Sequence, residues 1–154
     1  MRFLLVDRIL TLDPGKSIEA EKTMSASEEL FGDHFPGFPV VPGVLLTEMM
    51  GQTAGKCLSA AQPERGNVML VEIRNARFRQ WARPGDAIHL FASIEQNLPQ
   101  LAVAQCHAEV DGAKICTAQL MFAFKPHSDF APNMRDHVLD EYLASRALPY
   151  EAAT

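Results

Sequence analysis

Polar and apolar residues alternate along residues 17–24, where Ile18, Ala20 and Met24 stand against Ser17, Glu19, Glu21 and Thr23. A period of two is the mark of a half-buried strand. An apolar segment over residues 3–12 precedes it, and Asp13-Pro14-Gly15-Lys16 between the two supplies turn chemistry. A β-hairpin follows from that pattern. The pattern changes over residues 43–61, where Val44, Leu45, Leu46, Met49, Met50, Ala54, Cys57 and Leu58 surround most of a helical circumference. A helix apolar nearly all round is buried rather than laid on a surface. Pro63 stops it. Residues 26–42 read as a loop.

Four more strands follow the helix. Over residues 67–79 the apolar phase slips from Val71/Ile73 to Ala76/Phe78, which predicts a bulge near Asn75. Arg83-Pro84-Gly85-Asp86 is a turn, and residues 87–95 alternate through Ile88, Leu90, Ala92 and Ile94. Residues 101–110 face 113–124 across Asp111-Gly112, a strong hairpin signal. The order ββαββββ is an α+β fold: an antiparallel sheet of about six strands wrapped around one long helix buries the most apolar surface. This domain covers residues 1–124. Residues 125–154 form a C-terminal extension, irregular to Pro132. Asn133 is placed to cap a helix over 134–147, with Val138, Leu139, Tyr142, Leu143 and Ala147 along one side. Such a helix docks on the sheet or on a neighbouring subunit.

Composition narrows the function classes. Apolar residues make up 47% of the 154 and charged residues 21%, ordinary for a globular protein. A net charge of −5 argues against nucleic-acid binding, which favours basic chains. The apolar run at the N-terminus ends at Asp7, too short for a signal-peptide core, and no segment reaches the ~18 apolar residues of a membrane span. Cys57, Cys106 and Cys116 have no metal-type spacing, and an odd count without a secretion signal fits reduced cytoplasmic thiols. Cys106 and Cys116 flank the last hairpin, where they could face each other.

The chemistry concentrates in the run HFPGFPVVPGVLLTE, from His34 to Glu48. Pro36, Pro39 and Pro42 stiffen the backbone after His34. An imidazole held there accepts and returns protons near neutral pH. Glu48, between Thr47 and Met49-Met50, is a carboxyl in apolar surroundings, where such groups stay protonated as general acids. Gln52, one turn further, can hydrogen-bond and orient it. Lys56 continues the line as the solvated end of the helix. The competing reading of Glu48, Gln52 and Lys56 is a narrow polar stripe facing water. The amides of Gly43 and Val44 lack intrahelical acceptors and offer positive dipole to an oxyanion, with Gly43 admitting a carbonyl close to backbone. A base, an acid and an oxyanion hole suit removal of a proton α to a thioester carbonyl with loss of a β-hydroxyl. His34 takes the proton and Glu48 protonates the departing hydroxyl. His89 and His107 fall on polar strand phases and His127 and His137 in the tail, so all four read as surface or structural. Met49, Met50, Phe78 and Phe91 line an acyl tunnel or are plain core.

HFPGFPVVPGVLLTEMMGQ closely resembles the signature of the β-hydroxyacyl-acyl carrier protein dehydratases of the FabZ/FabA type. LLVDRILTLDPGKSIEA, ARFRQWARPGDAI and VDGAKICTAQLMFAF extend the resemblance over about residues 3–124. The resemblance implies a hotdog fold and a (3R)-hydroxyacyl-[acyl-carrier-protein] dehydratase of fatty acid or related lipid and polyketide biosynthesis. It implies no metal and no organic cofactor. It also implies a homodimer with two shared sites, His34 from one protomer and Glu48 from the other, and possible assembly into a trimer of dimers. The amides of Gly43 and Val44 would hold the thioester carbonyl and Gln52 would support the carboxylate. Glu48 in place of aspartate puts the chain nearer the FabZ branch, which does not usually isomerise the double bond. The implied partner is an acidic acyl carrier protein, for which Arg74, Arg77, Arg79 and Arg83 form a basic cluster, with solubilising surface charge as the plainer reading.

Three departures stand out. Asp33 occupies a position where family members carry glycine, a carboxylate that either raises the pKa of His34 or points to solvent. Glu72 also replaces a common glycine, and the tail is longer than usual. A hotdog acyl thioesterase, a coenzyme A ester hydratase and a non-catalytic acyl-binding subunit are the alternatives. Thioesterases seldom use a histidine on a proline-rich loop, the hydratase signature is missing, and an intact His34, Glu48 and Gln52 argue against a non-catalytic role.

Overall fold

The structure, a computed structural model, describes residues 1–132 and 134–147. Its elements are β1 (Arg8–Asp13), β2 (Ser17–Lys22), α1 (Leu30–Asp33), α2 (Gly43–Ala61), β3 (Asn67–Phe78), β4 (Ile88–Asn97), β5 (Leu101–Val110), β6 (Ala113–Lys125) and α3 (His137–Ala147). Six antiparallel strands form one sheet in the order β1-β2-β4-β5-β6-β3. The sheet wraps α2, as the hydrophobic pattern requires.

Alternation decides the faces. Ile18 and Ala20 of β2 are buried, as are Ile88, Leu90 and Ala92 of β4. On β5 the inward positions are small: Ala102, Ala104, Cys106 and Ala108. Small residues let the helix approach, and Leu46, Met49, Met50, Ala54, Cys57 and Leu58 fill the space from the other side with almost no exposure. Buried hydroxyls on α2 are satisfied locally, Thr47 Oγ1 donating to Gly43 O and Thr53 Oγ1 to Met49 O.

The hairpin and bulge readings hold. Asp111 and Gly112 both take positive φ, 51° and 77°, as a two-residue turn of type I′ demands. The β3–β6 register shifts between Arg74 and Arg77, and Asn75 has φ 52°. A second shift lies between Leu70 and Glu72. The helix ends at Ala61, before Pro63.

Other boundaries moved. The first strand starts at Arg8, not residue 3, because the backbone of Phe3 and Leu5 bonds to Gln52 of α2 instead of a strand. The 26–42 loop contains a short helix, α1. The last helix starts at His137, with Asp136 as its cap: Asp136 Oδ1 accepts from Leu139 N at 3.1 Å. Asn133, the expected cap, lies outside the described residues. Leu139 is buried, Val138 and Tyr142 pack on the core, and α3 rests near β1.

The three cysteines are free and buried. Cys106 sits opposite Ala118 and Cys116 opposite Ala108, so the two thiols do not face each other. Burial pushes Cys57 and Cys116 up to about 11 and Cys106 up to about 12. Thiols held protonated in this way are poor nucleophiles.

Candidate active site

His34 follows directly on α1 and is fixed from several sides. Its N–H donates to Leu30 O at 2.9 Å, and its carbonyl accepts from Val40 N at 3.1 Å. Its ring Nδ1 lies 3.0 Å from Val40 O. A carbonyl only accepts, so Nδ1 carries the proton and Nε2 is left with its lone pair. The chain between closes on itself through Phe35 N to Phe38 O and Phe38 N to Phe35 O, at 3.0 and 2.8 Å. Gly37 takes φ 74° at the tip, which favours glycine. Val41 N then donates to Ala82 O, pinning the loop to the segment after β3. The prolines supply stiffness, and these bonds supply position. The His34–Phe35 peptide is cis.

Asp33 is exposed and makes no hydrogen bond or ion pair with His34 among the described residues. Of the two readings of this departure, the carboxylate points to solvent.

Pro42 leads into α2, and the first intrahelical amides to find acceptors are those of Leu45 and Leu46, both on Pro42 O. Those of Gly43 and Val44 donate to no acceptor among the described residues, as expected of a helix start. Val44 is 76% exposed. The ring of Phe78 lies against Gly43, where a Cβ would come within 3.1 Å of it. A side chain at this position would require the Phe78 ring to shift by a few tenths of an ångström.

Glu48 is half-buried. Gln52 Nε2 donates to Glu48 Oε1 at 3.1 Å and to Phe3 O at 3.1 Å, while Gln52 Oε1 accepts from Leu5 N at 2.9 Å. The amide thus joins the carboxylate to the N-terminal segment. Both residues line a groove of about 340 Å³ along α2, and His34 is not among its lining residues. One chain brings Glu48, Gln52 and an open groove together, and holds His34 elsewhere.

Several expectations need correction. Lys56 is not a solvated helix end: it is 7% exposed and its Nζ pairs with Asp136 Oδ2 at 2.7 Å. The stripe Glu48, Gln52, Lys56 faces side-chain and backbone partners rather than bulk water. Met49 and Met50 are core, and Phe91 stacks on His107 on the outer face of the sheet, with ring centroids 4.4 Å apart. None of these lines the groove, nor does Phe78. In the basic cluster, Arg74 is bonded through Nε and Nη2 to Glu72, leaving Arg77, Arg79 and Arg83 as the exposed cations without an ion pair among the described residues. Glu72, the second departure, thereby has a role. Sequence reasoning did not find the carbonyl of Val40 or the Phe78–Gly43 contact. Backbone acceptors and ring placement leave no signature in a single sequence.

No group of three or more His, Cys, Asp or Glu side chains is arranged to hold a metal among the described residues. No helix among them is long and apolar enough to cross a membrane.

Comparison with known proteins identifies the family and the fold. The family model described as a FabA-like domain matches residues 1–119. A protein of Listeria welshimeri named 3-hydroxyacyl-[acyl-carrier-protein] dehydratase FabZ is 38% identical over 122 residues, 79% of this chain and 85% of that protein. One of the same name from Chloroflexus aggregans is 41% identical over 123 residues, again 79% and 85%. Among solved structures, the dehydratase heterocomplex ApeI:P from Xenorhabdus doucetiae matches with a TM-score of 0.68 at 15% identity, over 82% of this chain and 86% of that one. A hypothetical thioesterase with coenzyme A from Streptococcus pneumoniae matches at 0.61 and 9% identity, over 77% and 85%. At such low identity these two structures show the hotdog fold alone.

Proposed function

The chain belongs to the FabA-like family, and we propose that His34 and Glu48 carry out the dehydration for which its relatives are named. The protein is a hydro-lyase: a 3-hydroxyacyl-[acyl-carrier-protein] dehydratase that removes water from a β-hydroxyacyl thioester to give the trans-2-enoyl thioester. One observation carries the assignment of roles. The Nδ1–H of His34 is committed to Val40 O, so Nε2 is a ready base, while Gln52 aims Glu48 into a groove of acyl dimensions.

In this mechanism the thioester carbonyl sits at the free amides of Gly43 and Val44, which stabilise enolate charge as it builds. His34 Nε2 removes the α-proton. Glu48, acting as the general acid, gives a proton to the departing β-hydroxyl, and water leaves. The enzyme is restored when His34 passes its proton back to Glu48 directly or through water. Only proton transfers are involved.

The two groups belong to different protomers in this proposal. Supporting it, β3 is an edge strand twelve residues long, with Met69, Val71, Ile73 and Phe78 all more than two-fifths exposed. Apolar side chains on an open strand edge call for a covering partner, and a two-fold axis beside β3 would join two sheets edge to edge. A trimer of such dimers is the larger assembly proposed, checked by the mass of the particle in solution. The carrier protein would dock on Arg77, Arg79 and Arg83. Replacing Arg77 and Arg83 by Glu is expected to raise KM for a carrier-borne substrate about tenfold more than for the same acyl chain on pantetheine alone. Equal changes for both substrates would remove the cluster from the docking site. A cytoplasmic location completes the reading and is supported by three buried unpaired thiols. Fractionation of the native host tests it.

The deciding assay follows enoyl formation from 3-hydroxyacyl-carrier-protein and measures released thiol alongside it. His34→Ala and Glu48→Gln are each expected to lower kcat by roughly a hundredfold or more. Released thiol without enoyl product would make the protein a thioesterase.

A further inference from the structure

The groove beside α2 is lined along the helix from Glu48 to Ser59, with Lys56 two turns beyond Glu48 on the same face. Gly51 and Gly55 lie between them and keep the helix side of the groove open. Residues 134–138 line the same groove, Met134 among them.

That segment is anchored. Lys56 Nζ donates to Asp136 Oδ2 at 2.7 Å, and Lys56 is 7% exposed. Asp136 also starts α3, its Oδ1 accepting from Leu139 N and its carbonyl from Asp140 N. Leu139 then inserts into the core. A nearly buried ammonium is costly unless paired. Nothing in packing a helix against a sheet calls for a lysine here, and the clamp on the C-terminal segment accounts for it.

We infer that the Lys56–Asp136 pair seats residues 134–138 as the end wall of the acyl groove, so that the C-terminal extension sets an upper limit on substrate acyl length. The inference rests on reading Glu48 as the group acting at the β-carbon. Eight residues of helix separate Glu48 from Lys56, a rise of about 12 Å. An extended chain advances roughly 1.2 Å per bond, a third of the span of one extended residue. The groove therefore takes on the order of ten carbons beyond the carboxylate. Lys56 and Asp136 are positioning residues: they act through the wall they hold.

The test compares 3-hydroxybutyryl, 3-hydroxydecanoyl and 3-hydroxypalmitoyl thioesters on the full-length protein. Lys56→Met breaks the clamp and leaves Asp136, which is partly exposed, able to reach water. Asp136→Ala is avoided because it strands a buried ammonium. Lys56→Arg keeps the charge, and Met134→Gly opens the wall without touching the pair. Wild type is expected to discriminate against the palmitoyl substrate. Lys56→Met and Met134→Gly are expected to raise the palmitoyl-to-butyryl ratio of kcat/KM about tenfold, and Lys56→Arg to keep the wild-type ratio. Should Lys56→Met fail to fold, Met134→Gly carries the comparison. A ratio unmoved by the opening variants, or a wild type indifferent to length, overturns the inference and leaves the dehydratase standing. Calorimetry with unreactive acyl-pantetheine amides of the same lengths runs beside the assay. If the wild type dehydrates no substrate, the dehydratase reading fails, and the binding cut-off and its shift in the variants then decide the inference alone.

Discussion

The side-chain amide of Gln52 reaches three partners on two segments: the Glu48 carboxylate and the backbone of Phe3 and Leu5. Both its donor and its acceptor ends are occupied, so its orientation is determined, and so is that of the carboxyl it touches. Gln52→Ala releases both. Leu5 is almost fully buried, and its N–H would be left without an acceptor, a cost of about 1–3 kcal/mol. Glu48 would gain rotamers in which its proton is out of reach of the β-hydroxyl. The expected result is a kcat reduced roughly tenfold to a hundredfold, larger than the change in KM, together with a lower urea midpoint. Steady-state kinetics and denaturant titration on the one variant measure both. A lower midpoint with kcat intact would show that Gln52 ties the N-terminus and leaves Glu48 alone. His34 is fixed in a similar way, its ring Nδ1 lying 3.0 Å from Val40 O.

At the scale of elements, the junction between α2 and β3 turns on Gly66. Its backbone lies at φ 100° and ψ −163°, and a Cβ there would sit 2.0 Å from Lys125 O. Only glycine fits both conditions. Gly66→Ala is expected to cost roughly 3 kcal/mol, or about 10 °C in Tm, read by calorimetry; a shift within a degree or two would mean that β3 and β6 part easily at this end. The elements themselves were largely legible in the chain. The apolar circumference of α2, its stop before Pro63, the Asp111-Gly112 turn and the phase slip at Asn75 are local patterns, and local patterns are what periodicity reports. Two of the failures have one cause in common. Residues 3–7 have strand-like composition, yet Gln52, nearly fifty positions away, takes the backbone bonds of Phe3 O and Leu5 N. Lys56 looked like a solvated end because its partner Asp136 is eighty residues on. The start of α3 moved to His137 because Asp136 caps it. The first two depend on contacts between segments distant in sequence, and the third on a local cap from Asp136 to Leu139. The motif from His34 to Glu48 supplies the proposed reacting groups, and contacts such as that of Gln52 with Phe3 and Leu5 cannot be read from it.

For the whole molecule the question is where the two halves of the site meet. One chain holds Glu48 in a groove that His34 does not line, and leaves the apolar edge of β3 open. A shared site on a two-fold dimer accounts for both facts, and it makes a quantitative prediction. His34→Ala and Glu48→Gln proteins, each inactive alone, are mixed in equal amounts, unfolded and refolded together. In the mixed dimer one site combines both lesions, and the other combines the intact His34 of one protomer with the intact Glu48 of its partner. With random pairing, half of the dimers are mixed and each has one working site, so activity should return to about a quarter of wild type. A site built within one chain would regain nothing, since every chain carries a lesion. Charged residues on the open edge test the same arrangement from the other side. Val71→Lys with Ile73→Lys places like charges where two copies of β3 would meet. The expected outcome is a monomer by light scattering that retains its far-ultraviolet dichroism and has lost dehydration. A charged-edge monomer that still dehydrates would locate the whole reaction in one chain.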